Sequence, residues 1–455
     1  MALAGCRPPL RRPSPLSDKL DPALRQALAA APAGETRTVL VDLVAQVDLR
    51  ALARRLGRQG AARQARRAAV TAALVRLAAE SQAALRPFLD QAQRQGTIAR
   101  YEGFAVIDRL VVVATPAGIA ALAARPEVAR IVAQTTARET ALAWEEPPVS
   151  PVVPAPPERT SWALAAIGAE EAWRRGLSGR GVVVGAIDSG ASPRHEQLQG
   201  NFRGGDAGWL DPAGGGPPHD TRFGHGTGVL SCAVGQNVAG KTLGVAPGAQ
   251  WIACAGLPEG HYDNVLFTRC ADWMLRVGRP DVLINAWLLP GDPGSGCDRS
   301  LVPLFDALRA AEILPVFAAG NLGPAPASNR SPANYADLFP GASLALSVGG
   351  LRADGTPFAR SSRGPSQCGG AVFPVLAAPA EDLVAAFPLS PGTYLRAQGT
   401  SFAAGYAAGA AALLLESRPE ASVPEIEAAL AAGAVGRDRR LSLPGALARL
   451  REPFR

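Results

Sequence analysis

An α/β architecture is predicted for most of this chain: a mostly parallel sheet with helices on both faces, preceded by a small α+β domain. Two observations carry that prediction. Beyond residue 158, strands of almost unbroken apolar character alternate with helical stretches, the pattern of a parallel sheet buried on both faces. Before residue 137, strand and helix signals follow one another in the order βαββαβ, and a proline-rich stretch separates the two regions. The 455 residues, 47% hydrophobic and 19% charged, suffice for sizeable cores and exclude a disordered chain.

The first 36 residues form a terminal segment. It contains "LAGC", the pattern cleaved and lipidated at its cysteine in bacterial lipoprotein signals. The charged region and apolar run of such a signal do not precede it here, so a lipid on Cys6 presupposes a start further upstream. Residues 37–137 form the small domain. "TRTVLVDLV" is a strand, a long helical stretch follows, "ARYEGFAVIDRLVVVAT" supplies two strands, "PAGIAALAARPEV" a helix and "ARIVAQ" the last strand. That is the ferredoxin-like split order. Fifteen arginines against seven acidic residues in this region give a surplus of eight, more than the +7 of the whole chain. A basic helix can grip nucleic-acid phosphates, but no base-reading motif or interleaved aromatics accompany it, and a solvated or partner-facing helix is the better reading. Residues 138–157 are the linker, extended and protease-accessible through "EEPPVSPVVPAPPE".

The large domain covers 158–455. "GRGVVVGAIDSG", "QWIACAGL", "DVLINAWLL", "ILPVFAAG" and "LALSVGGL" are its strands, and in such sheets sites form at the carboxyl ends of the strands. Three polar residues stand where that rule directs attention. Asp188 closes its strand, where a buried carboxylate is costly unless a partner accepts its charge. His225 sits between glycines in "RFGHGTGVL", at a helix start. Ser401 stands in "GTSFAAG", again at a helix start. Taken singly, each has a plain structural role: helix cap, loop residue, small packing residue. Together they supply a nucleophile, a base to take its proton, and a carboxylate to fix the imidazole tautomer. Asn321 in "FAAGNLGP" adds an amide donor for an oxyanion, with the Ser401 backbone N–H as the second.

The order Asp, His, Ser and the motifs "AIDSG", "GHGTG", "AAGNLG" and "GTSFAAG" resemble the subtilisin-like serine peptidases, over residues 158 to about 449. "SPANY", "FARSSRGPS" and "LGVAPGAQWIAC" look like connecting segments of the same family, and the bacillopeptidase F type is the nearest in pattern. The resemblance implies a serine endopeptidase working through an acyl-enzyme, secreted or surface-anchored, a monomer acting on protein or peptide substrates with no required cofactor. It also implies that the small domain is an inhibitory propeptide, cleaved near 138–158. Family members often bind structural calcium, but no clustered carboxylate loop locates a metal site in this chain.

The departures concern substrate binding. A wall of the pocket for the residue before the scissile bond resembles Asn-Ser-Trp-Gly in relatives and reads Asn285, Ala286, Trp287, Leu288 here. Ala286, Trp287, Leu288, Ala319 and Gly320 are the expected lining residues. Gly228 replaces a frequent second histidine, Gly405 a usual proline, and Ala380 the glycine of Ala-Pro-Gly. An altered pocket leaves a rival reading, a subtilisin fold that binds or scaffolds with little turnover. Six cysteines without a CxxC pair argue for disulfides over zinc. Cys254 and Cys270 are near enough in sequence to close a loop cheaply, Cys297 with Cys368 is the second expected pair, and Cys232 is expected as a buried thiol.

Overall fold

The computed structural model describes residues 19–138, 162–289, 296–335 and 345–451. Cys6 and the proline-rich stretch at 145–158 lie outside the described residues. Contacts divide the chain into two compact units: residues up to 47 together with 73–134, and residues 48–72 together with 135 onward.

In the first unit, α1 (Pro22–Ala29) begins at Asp21, whose carboxylate accepts the amides of Ala23 and Leu24. β1 (Arg37–Leu43) leads through α2 (Leu49–Arg58) and α3 (Arg63–Arg94) to the hairpin of β2 (Ile98–Phe104) and β3 (Arg109–Ala114), then α4 (Pro116–Ala123) and β4 (Val128–Ala133). The sheet order β2-β3-β1-β4, antiparallel throughout, is the ferredoxin-like arrangement that the element order predicts. Val39, Val41 and Leu43 alternate onto one face of β1 and meet Leu110, Val112, Leu85, Leu89, Ile119 and Leu122 in a closed apolar core. Residues 48–72, read from the sequence with this small domain, group by contacts with the second unit.

The second unit is built on a seven-stranded sheet, parallel at every pairing. In chain order these elements are a short edge strand β5 (Thr136–Arg138), helices α5 (Trp162–Ile167) and α6 (Ala169–Arg174), β6 (Val183–Asp188), β7 (Trp209–Leu210), α7 (His225–Val234), the small pair β8 (Asn237–Val238) and β9 (Lys241–Thr242), and β10 (Gln250–Ala255). There follow β11 (His261–Asp263), α8 (Asn264–Trp273), β12 (Val282–Asn285), α9 (Val302–Ala310), β13 (Leu314–Ala318), β14 (Leu346–Leu351), β15 (Leu376–Pro379), the hairpin β16 (Leu383–Ala386) and β17 (Tyr394–Ala397), and helices α10 (Thr400–Ser417), α11 (Val423–Gly433) and α12 (Leu443–Arg451).

From β6 the sheet grows one way through β10 and the other way through β12 to β15, so the carboxyl end of β6 is the switch point where such sheets place ligands. α10 lies against β12 to β15 and α7, and every residue of 400–415 is buried. Its Ala/Gly composition is what permits that depth. Gly405 shows how close the packing is: a Cβ there would stand 2.5 Å from the Val229 carbonyl oxygen of α7. Both expected disulfides form, Cys254 with Cys270 joining β10 to α8 and Cys297 with Cys368, while Cys232 is free and buried. Burial pushes the Cys232 thiol up to about 12, which leaves it unreactive.

Candidate active site

Three neighbouring strands deliver the site. Asp188 ends β6, Ala286 follows β12, and Asn321 lies three residues beyond β13, so all three stand on the carboxyl edge of the sheet. α7 and α10 then present their first turns to that edge.

Asp188 is fully buried, and its Oδ1 accepts from Nδ1 of His225 at 2.7 Å. The same oxygen accepts the Ser189 amide at 2.7 Å and the Ser189 hydroxyl at 3.2 Å. His225 is the first residue of α7, and this first turn comes so close to the chain just past β6 that a Cβ on Gly226 would fall 2.0 Å from the Gly190 carbonyl oxygen. Only glycine fits there, which is the physical content of the "GHG" signal. Burial by itself drives the imidazole pKa down. The charge of Asp188, its hydrogen bond and the further charge of Asp220 more than reverse this and hold His225 above the ordinary histidine value.

Ser401 is the second residue of α10 and 4% exposed, and its hydroxyl donates to the Ala286 carbonyl at 3.3 Å. The ring of Phe402, next along the helix, has its centroid 6.1 Å from that of His225. Asn321 is oriented by Thr400: its Oδ1 accepts from the Thr400 amide at 3.0 Å and the Thr400 hydroxyl at 3.1 Å. That hydroxyl in turn accepts the Gly320 amide at 3.0 Å. With Oδ1 so occupied, Nδ2 is turned toward Gly399, where a Cβ would meet it at 3.3 Å.

The residues expected to line the pocket separate. Ala286, Ala319 and Gly320 border the site and are buried. Trp287 is directed away into an aromatic cluster, its ring 4.4 Å from Phe267 and 6.4 Å from Phe305 between centroids. Leu288 turns toward Gly320, its Cδ1 lying 2.7 Å from where a Cβ on that glycine would be. The leucine isobutyl group thus packs against the Gly320 backbone.

Sequence reasoning missed Asp220, Ser189, Thr227 and Thr400. Asp220 accepts from the Thr227 amide at 2.8 Å and hydroxyl at 2.6 Å, and from the Ser189 hydroxyl at 2.7 Å. Ser189 therefore bridges two carboxylates, Asp188 and Asp220, while its oxygen accepts the Gly226 amide at 3.1 Å. Burial, with the charge of Asp188 adding to it, raises the Asp220 pKa against the lowering effect of these hydrogen bonds. Adjacency to Asp188, His225 and Ser401 was the only available signal for the three hydroxyl residues. Among the described residues, no group of three or more His, Cys, Asp or Glu side chains is placed to hold a metal ion.

A parallel sheet with this constellation at its switch point is the architecture of the subtilisin-like peptidases. Residues 179–446 match the model of the subtilase family, and the chain belongs to that family. It is 32% identical over 293 residues to bacillopeptidase F of Bacillus subtilis, an alignment covering 58% of this chain and 19% of that protein. A probable subtilase-type serine protease of Deinococcus radiodurans is 27% identical over 287 residues, 55% of this chain and 36% of the relative. Subtilisin BL of Lederbergia lenta is 31% identical over 267 residues, 58% of this chain and 87% of the relative. The alignments thus span only a fifth to a third of the two longer relatives and most of the short one.

Proposed function

We propose that the chain is a secreted or surface-anchored serine endopeptidase made as a zymogen. The observation that carries this reading is the convergence of Asp188, His225, Ser401 and Asn321 from separate elements onto one sheet edge. Nε2 of His225 takes the Ser401 proton as Oγ attacks the scissile carbonyl carbon, and Asp188 stabilises the imidazolium that forms. The Asn321 Nδ2 and the Ser401 amide receive the oxyanion. The proton then passes from His225 to the leaving amine, and water, deprotonated by the same histidine, hydrolyses the acyl-enzyme. For attack, the Ser401 hydroxyl swings from the Ala286 carbonyl to His225, a tightening common when substrate enters.

The zymogen part of the reading is supported by β5. This strand pairs antiparallel with β11, Ala137 opposite Tyr262, and the Thr135 amide donates to Asn264 Oδ1 at 3.0 Å. Addition of an extended segment to an exposed edge is how peptides are gripped by their main chain, so β5 takes the place that a substrate segment would use. Two disulfides in the peptidase fold are compatible with an exported protein.

The second reading, a subtilase fold that binds without appreciable turnover, draws on Leu288. A fluorophosphonate probe separates the two, because labelling needs an activated serine and oxyanion donors but no pocket. Labelling of the full-length protein once its chain has been cut near 138–158, absent in Ser401→Ala, is the expected result. An unlabelled, folded protein would leave the binding role.

A further inference from the structure

The basic surplus of the N-terminal region is concentrated in α2 and the start of α3, and this segment is seated in the peptidase fold. Arg63 is 6% exposed; its guanidinium donates to Asp281 Oδ1 at 2.7 Å and to the Glu312 carbonyl at 2.7 Å, and its amide donates to Glu420 at 2.7 Å. Arg66 meets Glu312 Oε1 at 2.6 Å. Arg67 meets Asp281 at 2.9 Å and donates to the carbonyls of Arg279, Pro280, Ala311 and Glu312. Leu52 and Leu56 of α2 are buried as well.

The acids concerned are built into the strands. Asp281 precedes β12 and accepts the amide of Val183, the first residue of β6, at 2.9 Å. Glu312 precedes β13 and accepts the Val423 amide of α11 at 3.0 Å. Both lie at the amino ends of the strands, whereas Asp188 ends β6 five residues further on, roughly 17 Å away at strand rise. If residues 48–72 left, two largely buried carboxylates would lose their cationic partners, a strongly unfavourable change.

We propose that residues 48–72 stay bound to the peptidase fold after the chain is cut near 138–158, so that maturation yields a two-fragment protein rather than a free catalytic domain. The interaction surface is the amino edge of β6, β12 and β13, and its partner is this chain's own arginine-bearing helix segment. Because it lies on the edge opposite the site, retention is compatible with an open cleft. The proposal rests on the maturation reading above, but its test does not need self-processing.

The experiment uses full-length Ser401→Ala protein with a recognition sequence for a specific protease inserted in 145–158, cut in vitro. Ala137→Pro is included to remove a ladder donor from β5, so that this pairing does not hold the fragment. The two fragments are expected to co-elute on size exclusion at physiological salt. Arg63→Met with Arg67→Met should weaken the fragment's dissociation constant at least tenfold, Arg66→Ala severalfold, and the exposed Arg54→Ala not at all. Separate elution of the fragments without arginine substitutions overturns the proposal whether or not the variants fold. A dissociation constant within threefold in the folded double variant overturns it equally. Failure of the zymogen reading would show elsewhere, as an uncut wild-type chain.

Discussion

Leu288 and Asp220 are the residues through which this site differs most from a bare triad. The leucine side chain packs against Gly320, and on the proposed reading it fills space that a glycine would leave to the substrate. Forcing a large aromatic group past it would cost about 1–3 kcal/mol by analogy with overpacked cores. The expected consequence is a preference for alanine over phenylalanine before the scissile bond of roughly tenfold to two-hundredfold in kcat/KM, relieved in Leu288→Gly. A peptide library cleaved equally after both residues by wild type, with no gain in the variant, would refute it. Asp220 acts on His225 by charge. A base must be neutral, so activity rises as pH climbs through the raised His225 pKa. Asp220→Asn removes one of the two negative charges that raise it, and the acid limb of the kcat/KM profile should move to lower pH. An unchanged midpoint would assign Asp220 to packing alone.

At the scale of elements, α7 and α10 are held at a separation that Gly405 sets. A Cβ at that position would approach the Val229 carbonyl to 2.5 Å and Cys232 Cβ to 3.1 Å. Gly405→Ala should therefore destabilise by about 1–3 kcal/mol, read as a lower urea midpoint, since backbone cannot yield as a flexible side chain can. Both helices carry site residues in their first turns, so activity should fall with stability. The Cys254–Cys270 bridge spans 16 positions between β10 and α8. Replacing both cysteines by serine should cost about 3 kcal/mol. Unfolding curves of the oxidised and doubly substituted proteins that coincide would show the bridge to be inert.

For the molecule as a whole, the prediction is that Ser401→Ala accumulates uncut while wild type is trimmed within 138–158. Expression of both in a protease-free host, compared by intact mass, tests it; identical trimming would mean that another enzyme does the cutting. The basic composition of the N-terminal region, read as a solvated or partner-facing helix in preference to a nucleic-acid one, has a local use: Arg63, Arg66 and Arg67 are engaged by Asp281 and Glu312. Net charge described that region, and left the identity of the acids it meets to the fold.

Continuous apolar strands determined the parallel sheet, because a strand buried on both faces has no polar side to alternate with. The order of Asp188, His225 and Ser401, each beside glycine or at an element end, marked the candidate site, because close backbone approach leaves that mark in the sequence. The Cys254–Cys270 pair was legible from its spacing, whereas nothing in the 71-position separation of Cys297 and Cys368 marks that pair. Only the tertiary structure decided the direction of Leu288, the joining of Asp220 to Asp188 through Ser189, and the docking of Arg63 on Asp281, 218 positions away. A side chain's rotamer and its distant partner depend on which surfaces the finished fold brings together, and no local periodicity records that.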